Sequence, residues 1–309
     1  MIEGDGGWGH GPGMADLRWG AMAFMGAGIV GGSFLAMDLF DADATSRDTL
    51  HLLDLLDPPP LSGASTETDI RSTKGTRPPS HLALFIRVAL VSRTPIQSIR
   101  ASATTTCRLA DGSVIAVNQL LKHSAGTKNS TRFCKGEGMQ INGYSYEGTL
   151  ELVRSQNAWL AVNEVSLEDY VASVVGAEMP SGWHGETLKA QAVAARSYAV
   201  THLARPASLT YHLGDTTRWQ VFSGPSSLSQ QSLRATQETR GMVLSYRGGI
   251  VESLYASTQA ISEEAHRHLG ASMSQHGAQR LATQGLGFDE ILGRYYQGAS
   301  LAQLRRNGS

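Results

Sequence analysis

The chain has 309 residues, long enough for two modest domains and a tail, each able to bury a core. Its 26 Lys and Arg set against 27 Asp and Glu give a formal net charge of −1, with both signs mixed along the sequence, so no basic stripe marks a nucleic-acid partner. With 34 glycines and only 7% aromatic residues, the composition suits a turn- and strand-rich protein rather than a helical bundle.

Residues 20–37 carry no charge and are mostly apolar, with Arg18 before them and Asp38 after. That length lies near the lower bound for a bilayer-spanning helix and also fits the apolar core of a signal peptide. Residues 1–37 are therefore read as a signal anchor, with a cleaved signal as the second reading. Either way the rest of the chain is expected outside the cytoplasm, on the periplasmic or cell-wall side. Residues 38–80 are acidic and rich in Ser and Thr, and they include Pro58, Pro59, Pro60, Pro78 and Pro79. They read as a disordered linker with too little apolar surface to fold alone.

Strand signals begin at His81. Leu84, Ile86, Val88 and Leu90 alternate with Ala83, Phe85, Arg87 and Ala89 at a period of two. Asp111-Gly112 is a hairpin turn signal between short runs starting at Cys107 and Val114. A second hairpin pairs Leu150 and Leu152 with Leu160 and Val162. Residues 81–165 are thus a β-rich unit. It holds both cysteines, Cys107 and Cys134, which after export form either one disulfide or two partly buried thiols. No CxxC or Cys/His cluster suggests zinc.

At Ser166 the period changes to that of a helix. Ser166 and Asp169 make a capping start, and Leu167, Tyr170, Val171, Val174 and Val175 follow at helical spacing until Pro180 forbids helical geometry at Met179. A second helix is expected over residues 186–203, a hairpin-like pair over 242–246 and 250–255, and two helices over 273–284 and 289–296. The fold class is α+β, with a β-rich unit over 81–165 followed by catalytic helices and a C-terminal part over 166–309.

Glu178 continues the apolar stripe of the first helix, seven positions after Val171 and four after Val174. Most helix-end glutamates are solvated or ion-paired at the surface. A carboxylate on this stripe instead faces the core or a cleft, where desolvation and the negative end of the helix dipole both favour its protonated form. On the next helix Glu186, Lys189, Val193, Arg196 and Val200 share one face, which puts two cations close behind Glu178 in sequence. Trp183, between the helices, is placed either to stack on a sugar ring or to fill the core.

Residues 163–171, then Gly176-Ala177-Glu178-Met179-Pro180, then residues 188–198 resemble the stage II sporulation protein D family, also called SpoIID/LytB, in order and spacing. The resemblance continues through Asp215-Thr216-Thr217, Gln220-Val221-Phe222, residues 254–258 and Met273-Ser274-Gln275. It implies a SpoIID-like α+β domain in which Glu178 is the catalytic acid and Lys189, Arg196 and Gln275 hold substrate. Some members of that family are lytic transglycosylases acting on peptide-free glycan strands, and others enhance wall amidases. The implied partners are peptidoglycan strands, a cell-wall amidase and the membrane through the anchor, with no cofactor. Two departures stand out. Only residues 263–272 remain where the family carries a longer insertion. Arg218 and Trp219 stand where zinc-binding members place cysteine and histidine, so no metal is expected.

Overall fold

The computed structural model describes residues 83–304 apart from 104, 110, 122–131, 137, 156–157 and 270. The expected anchor and linker over residues 1–80 lie outside the described residues. Among those described, no helix is long and apolar enough to cross a membrane.

The β-rich part contains β1 (Phe85–Ala89), β2 (Ile99–Arg100), β3 (Thr106–Leu109), β4 (Val114–Ile115), β5 (Arg132–Lys135), β6 (Met139–Ile141), β7 (Tyr144–Tyr146), β8 (Thr149–Ser155) and β9 (Ala158–Ser166). With β10 (Leu213–Gly214) they build a seven-stranded sheet in the order β10-β1-β9-β8-β5-β3-β4, while β2, β6 and β7 form a small antiparallel sheet of their own. The period-two reading of the first strand holds over its first four residues, where Ile86 and Val88 are wholly buried and Phe85 is exposed, and it ends at Ala89, which is buried beside Leu90. The Asp111-Gly112 turn also forms. Gly112 takes a positive φ, Asp111 Oδ1 accepts from the Ser113 backbone N–H, and Arg108 stands opposite Val114.

Cys107 and Cys134 face each other on β3 and β5, with Cα atoms 4.0 Å apart, and are joined as a disulfide. The bond decides between the two sequence readings of these residues. It spans 27 positions, so its loss should lower stability by roughly 3 kcal/mol through loop entropy. Urea unfolding of Cys107→Ser/Cys134→Ser should show a correspondingly lower midpoint. An unchanged midpoint would assign the sheet's stability to its core alone.

The helical part contains α1 (Leu167–Glu178), α2 (Gly185–Ala204), α3 (Gln230–Glu238), α4 (Gln259–Leu269), α5 (Gln275–Thr283) and α6 (Phe288–Tyr295). The expected cap is present, since the Asp169 N–H donates to Ser166 Oγ at 3.1 Å. At the other end Met179 is extended, as the residue before Pro180 must be. Helix α2 is the centre of the fold. Leu188, Ala192, Ala195 and Ala199 join the core shared with α1 and the large sheet, and Ala190, Val193 and Ala194 join a second core with Met273, Ile291 and Leu292. Its many alanines let neighbours approach from nearly all sides.

Two expectations are corrected and two helices are added. The run over 250–255 is not one returning strand: β12 (Gly249–Ile250) pairs with β11 (Met242–Tyr246), beside β15 (Ser300–Gln303), but β13 (Leu254–Ala256) leaves to run parallel to β14 (Ser272–Ser274). Met273 therefore lies in a strand, and the helix expected to begin there starts at Gln275. Helices α3 and α4 had not been read from the sequence. The polar face of α3 hides its period, but its capping box of Ser229 and Ser232 is a legible signal.

Candidate active site around Glu178

Glu178 is the last residue of α1, and the chain turns sharply after it through Pro180, whose carbonyl accepts from the Trp183 N–H at 3.1 Å. Gly176 lets this end of α1 press against the 224–227 turn, where a Cβ would collide with the Ser227 carbonyl oxygen. The Glu178 carboxylate is largely screened from water. Its Oε1 accepts from the Val221 backbone N–H at 2.9 Å, and the Gln275 amide lies beside it without the geometry of a full hydrogen bond. Burial raises the carboxyl pKa above the ordinary glutamate value, against the opposing pull of Val221 and Gln275, which favour the ionised form.

Three structural devices bring these groups together. The parallel pair β13–β14 aligns Ala256 with Ser274, so Tyr255 and Gln275 are delivered from adjacent strand ends. Ser274 caps α5 through the Gly277 N–H at 3.0 Å, fixing Gln275 as its first residue. The loop carrying Val221 is pinned by Asp215, whose carboxylate accepts from both the backbone and the hydroxyl of Ser92, and by Phe222, stacked on Tyr170 with ring centroids 5.3 Å apart. Tyr170 donates to Gln220 Oε1 at 2.8 Å, and Gln220 in turn donates to the Ala195 carbonyl. The Tyr255 hydroxyl is buried near Gln220 and Glu178 without a well-formed hydrogen bond. Burial first, then neighbours that include Glu178, hold both phenols well above the ordinary tyrosine range, so they are neutral donors.

Of the residues expected to hold substrate, Gln275 is brought to Glu178 and the two cations are not among the groups acting on it. Lys189 is bound by Glu186 Oε1 at 2.8 Å and Glu238 Oε2 at 2.7 Å, contacts that raise its pKa. It lines a groove between α2 and α3 that also includes Trp183. Arg196 corrects the sequence reading. It is 0% exposed and forms a two-pronged ion pair with Glu168, through Nε at 3.0 Å and Nη2 at 2.8 Å. Its remaining protons go to the carbonyls of Ala192, Thr236 and Met242. Helical spacing put Lys189 and Arg196 on one face correctly, but α3 and β11 cover that face at Arg196. Trp183 packs edge-on against His276, with centroids 4.9 Å apart.

Sequence reasoning placed Tyr170 on the apolar stripe and ran the family resemblance through Gln220, Val221 and Tyr255, but assigned none of the four to the site. A backbone N–H leaves no side-chain signature, and the two tyrosines look like ordinary core residues in a single sequence.

Residues 155–246 match the family model described as SpoIID, stage II sporulation protein. Over these residues the chain is similar to the SpoIID family. An uncharacterized protein of Brachyspira hyodysenteriae is 34% identical over 122 residues, covering 39% of this chain and 33% of that protein. The Amidase enhancer of Bacillus subtilis is 36% identical over 99 residues, 32% of this chain and 13% of the relative. Stage II sporulation protein D of the same organism is 32% identical over 113 residues, 32% of this chain and 33% of the relative. The chain thus spans a third or less of the curated relatives it matches. Within the SpoIID match lie α1, α2, α3 and the Val221 loop, while Tyr255 and Gln275 reach the site from beyond it.

Proposed function

We propose that this protein cleaves peptidoglycan glycan strands as a lytic transglycosylase, with Glu178 as its single acid and base. The names of its relatives support the coarser reading, a role in cell-wall remodelling. The observation that carries the finer one is a screened carboxyl with a raised pKa, held in place by Val221 and ringed by neutral polar groups. In the reaction the protonated Glu178 gives its proton to the leaving glycosidic oxygen as the bond from C1 breaks. The muramic acid C6 hydroxyl attacks C1, its proton passes to the Glu178 carboxylate, and a 1,6-anhydro ring closes. No water is consumed and the carboxyl is regenerated, so the second carboxylate required by hydrolytic glycosidases has no task here.

We further propose that residues 1–37 export the chain and anchor it to the membrane. The Cys107–Cys134 disulfide supports this reading, since such bonds form and persist outside the reducing cytoplasm. A second reading, favoured by the relative named Amidase enhancer, is a strand-binding activator of a cell-wall amidase. Mass spectrometry of products from peptide-free strands separates the two. Ends carrying 1,6-anhydromuramic acid are expected. Reducing ends would indicate hydrolysis instead, and intact strands that stay bound to the protein would favour the activator.

A further inference from the structure

The groove between the start of α2 and α3 has a volume of about 310 Å³, and Glu178 is not among the residues that line it. Trp183 and Gln231 line it together with four alternating charges. These are linked in a chain: Glu186 to Lys189, Lys189 to Glu238, and Glu238 Oε1 to Arg234 Nε at 2.6 Å. Within the chain the charges cancel. An ionised ligand would have to displace one of these pairs. A hydroxyl both donates and accepts, so it inserts beside them, using carboxylate lone pairs and guanidinium protons that the chain leaves spare. The indole supplies an apolar surface for the ring of a sugar. The N-acetylglucosamine units of a strand, neutral and carrying only hydroxyl and acetamido groups, therefore fit this lining better than muramic acid units with an ionised lactyl carboxylate or peptides with free termini.

Trp183 connects the groove to the reaction centre. It follows Glu178 by five residues across the Pro180 turn, and its ring meets His276, the neighbour of Gln275. We propose that the α2–α3 groove is a saccharide subsite, holding a sugar of the same strand several units from the bond at Glu178. The proposal rests on the glycan-strand reading above and extends it to Trp183, Gln231, Arg234 and Glu238.

The test is calorimetric binding of peptide-free muropeptide-derived glycans of increasing length, in a Glu178→Gln background so that no strand is cut. Gln231 and Arg234 are exposed, which makes Gln231→Ala/Arg234→Ala safe for the fold. This pair should abolish the gain in affinity that longer strands show over tetrasaccharides, a loss of about tenfold, equivalent to ~1.4 kcal/mol. Arg205→Ala, which removes an exposed cation paired with Glu252, should leave affinity unchanged. Unaltered length dependence in the double variant overturns the subsite even if the wild type cleaves strands. An equal loss in Arg205→Ala also overturns it, by showing mere charge attraction. Length-dependent binding lost in the double variant, from a wild type that cuts nothing, leaves the subsite standing and removes the cleavage reading.

Discussion

Glu178→Gln is expected to lower turnover on peptide-free strands by about 10²–10⁴-fold, the usual contribution of a positioned general acid. The amide keeps the shape of the carboxyl and can still accept from the Val221 N–H, but it has no acidic proton to give. Strand affinity should persist. Turnover that survived the substitution at wild-type rate would remove Glu178 from the chemistry.

The same residue predicts two pH effects of definite sign. Burial raises the Glu178 pKa, so the acid form needed for the first proton transfer disappears as pH rises through that raised value, and wild-type turnover should fall on the alkaline side. For stability, a carboxyl bound more tightly to its proton in the folded state contributes most below the ordinary glutamate pKa, and that contribution is lost as pH rises through the folded one. Glu178→Gln has no such loss. Its melting temperature minus that of the wild type should therefore rise between acid and neutral pH, and a difference that fell over that range would contradict the buried placement of the carboxyl.

What could be read from the sequence was what depends on neighbours along the chain. The Asp111-Gly112 turn, the alternation from Phe85 to Val88 and the span of α1 from Ser166 to Pro180 are local, and each formed as expected. Glu178 was legible for the same reason, because a carboxylate on an apolar stripe conflicts with its surroundings. Of the groups around Glu178, Gln275 was reached only through the family resemblance, and the contacts themselves were not legible. Val221 contributes a backbone group from 43 residues away, and Tyr255 and Gln275 are aligned by a parallel pairing of two three-residue strands too short to show a period. The role of Arg196 was misread because helical spacing specifies a face and not what covers it. Its partner Glu168 lies 28 positions earlier.

Arg196→Ala is therefore expected to act on folding rather than on substrate contact. The wild-type guanidinium joins the first turn of α1, through Glu168, to the carbonyls of Thr236 at α3 and Met242 at β11. The Glu168 carboxylate also accepts from the Gly241 N–H, so the pair sits at a junction of four segments. Removing the cation leaves that carboxylate and two carbonyls short of partners inside the protein, and such a break costs roughly 3–5 kcal/mol. That is a large share of the ~5–15 kcal/mol that holds a typical domain. Arg196→Lys keeps the charge but not the fork, so it should fall between wild type and alanine. Replacing both partners, as in Glu168→Met/Arg196→Met, leaves no stranded charge and should destabilise less than Arg196→Ala alone. Because Glu168 and Glu178 lie at opposite ends of α1, loosening the first should also lower turnover, in step with the loss of folded protein. Urea unfolding and turnover measured on the same samples decide the matter. A variant with wild-type stability and a selective loss of strand binding would return Arg196 to the substrate cleft.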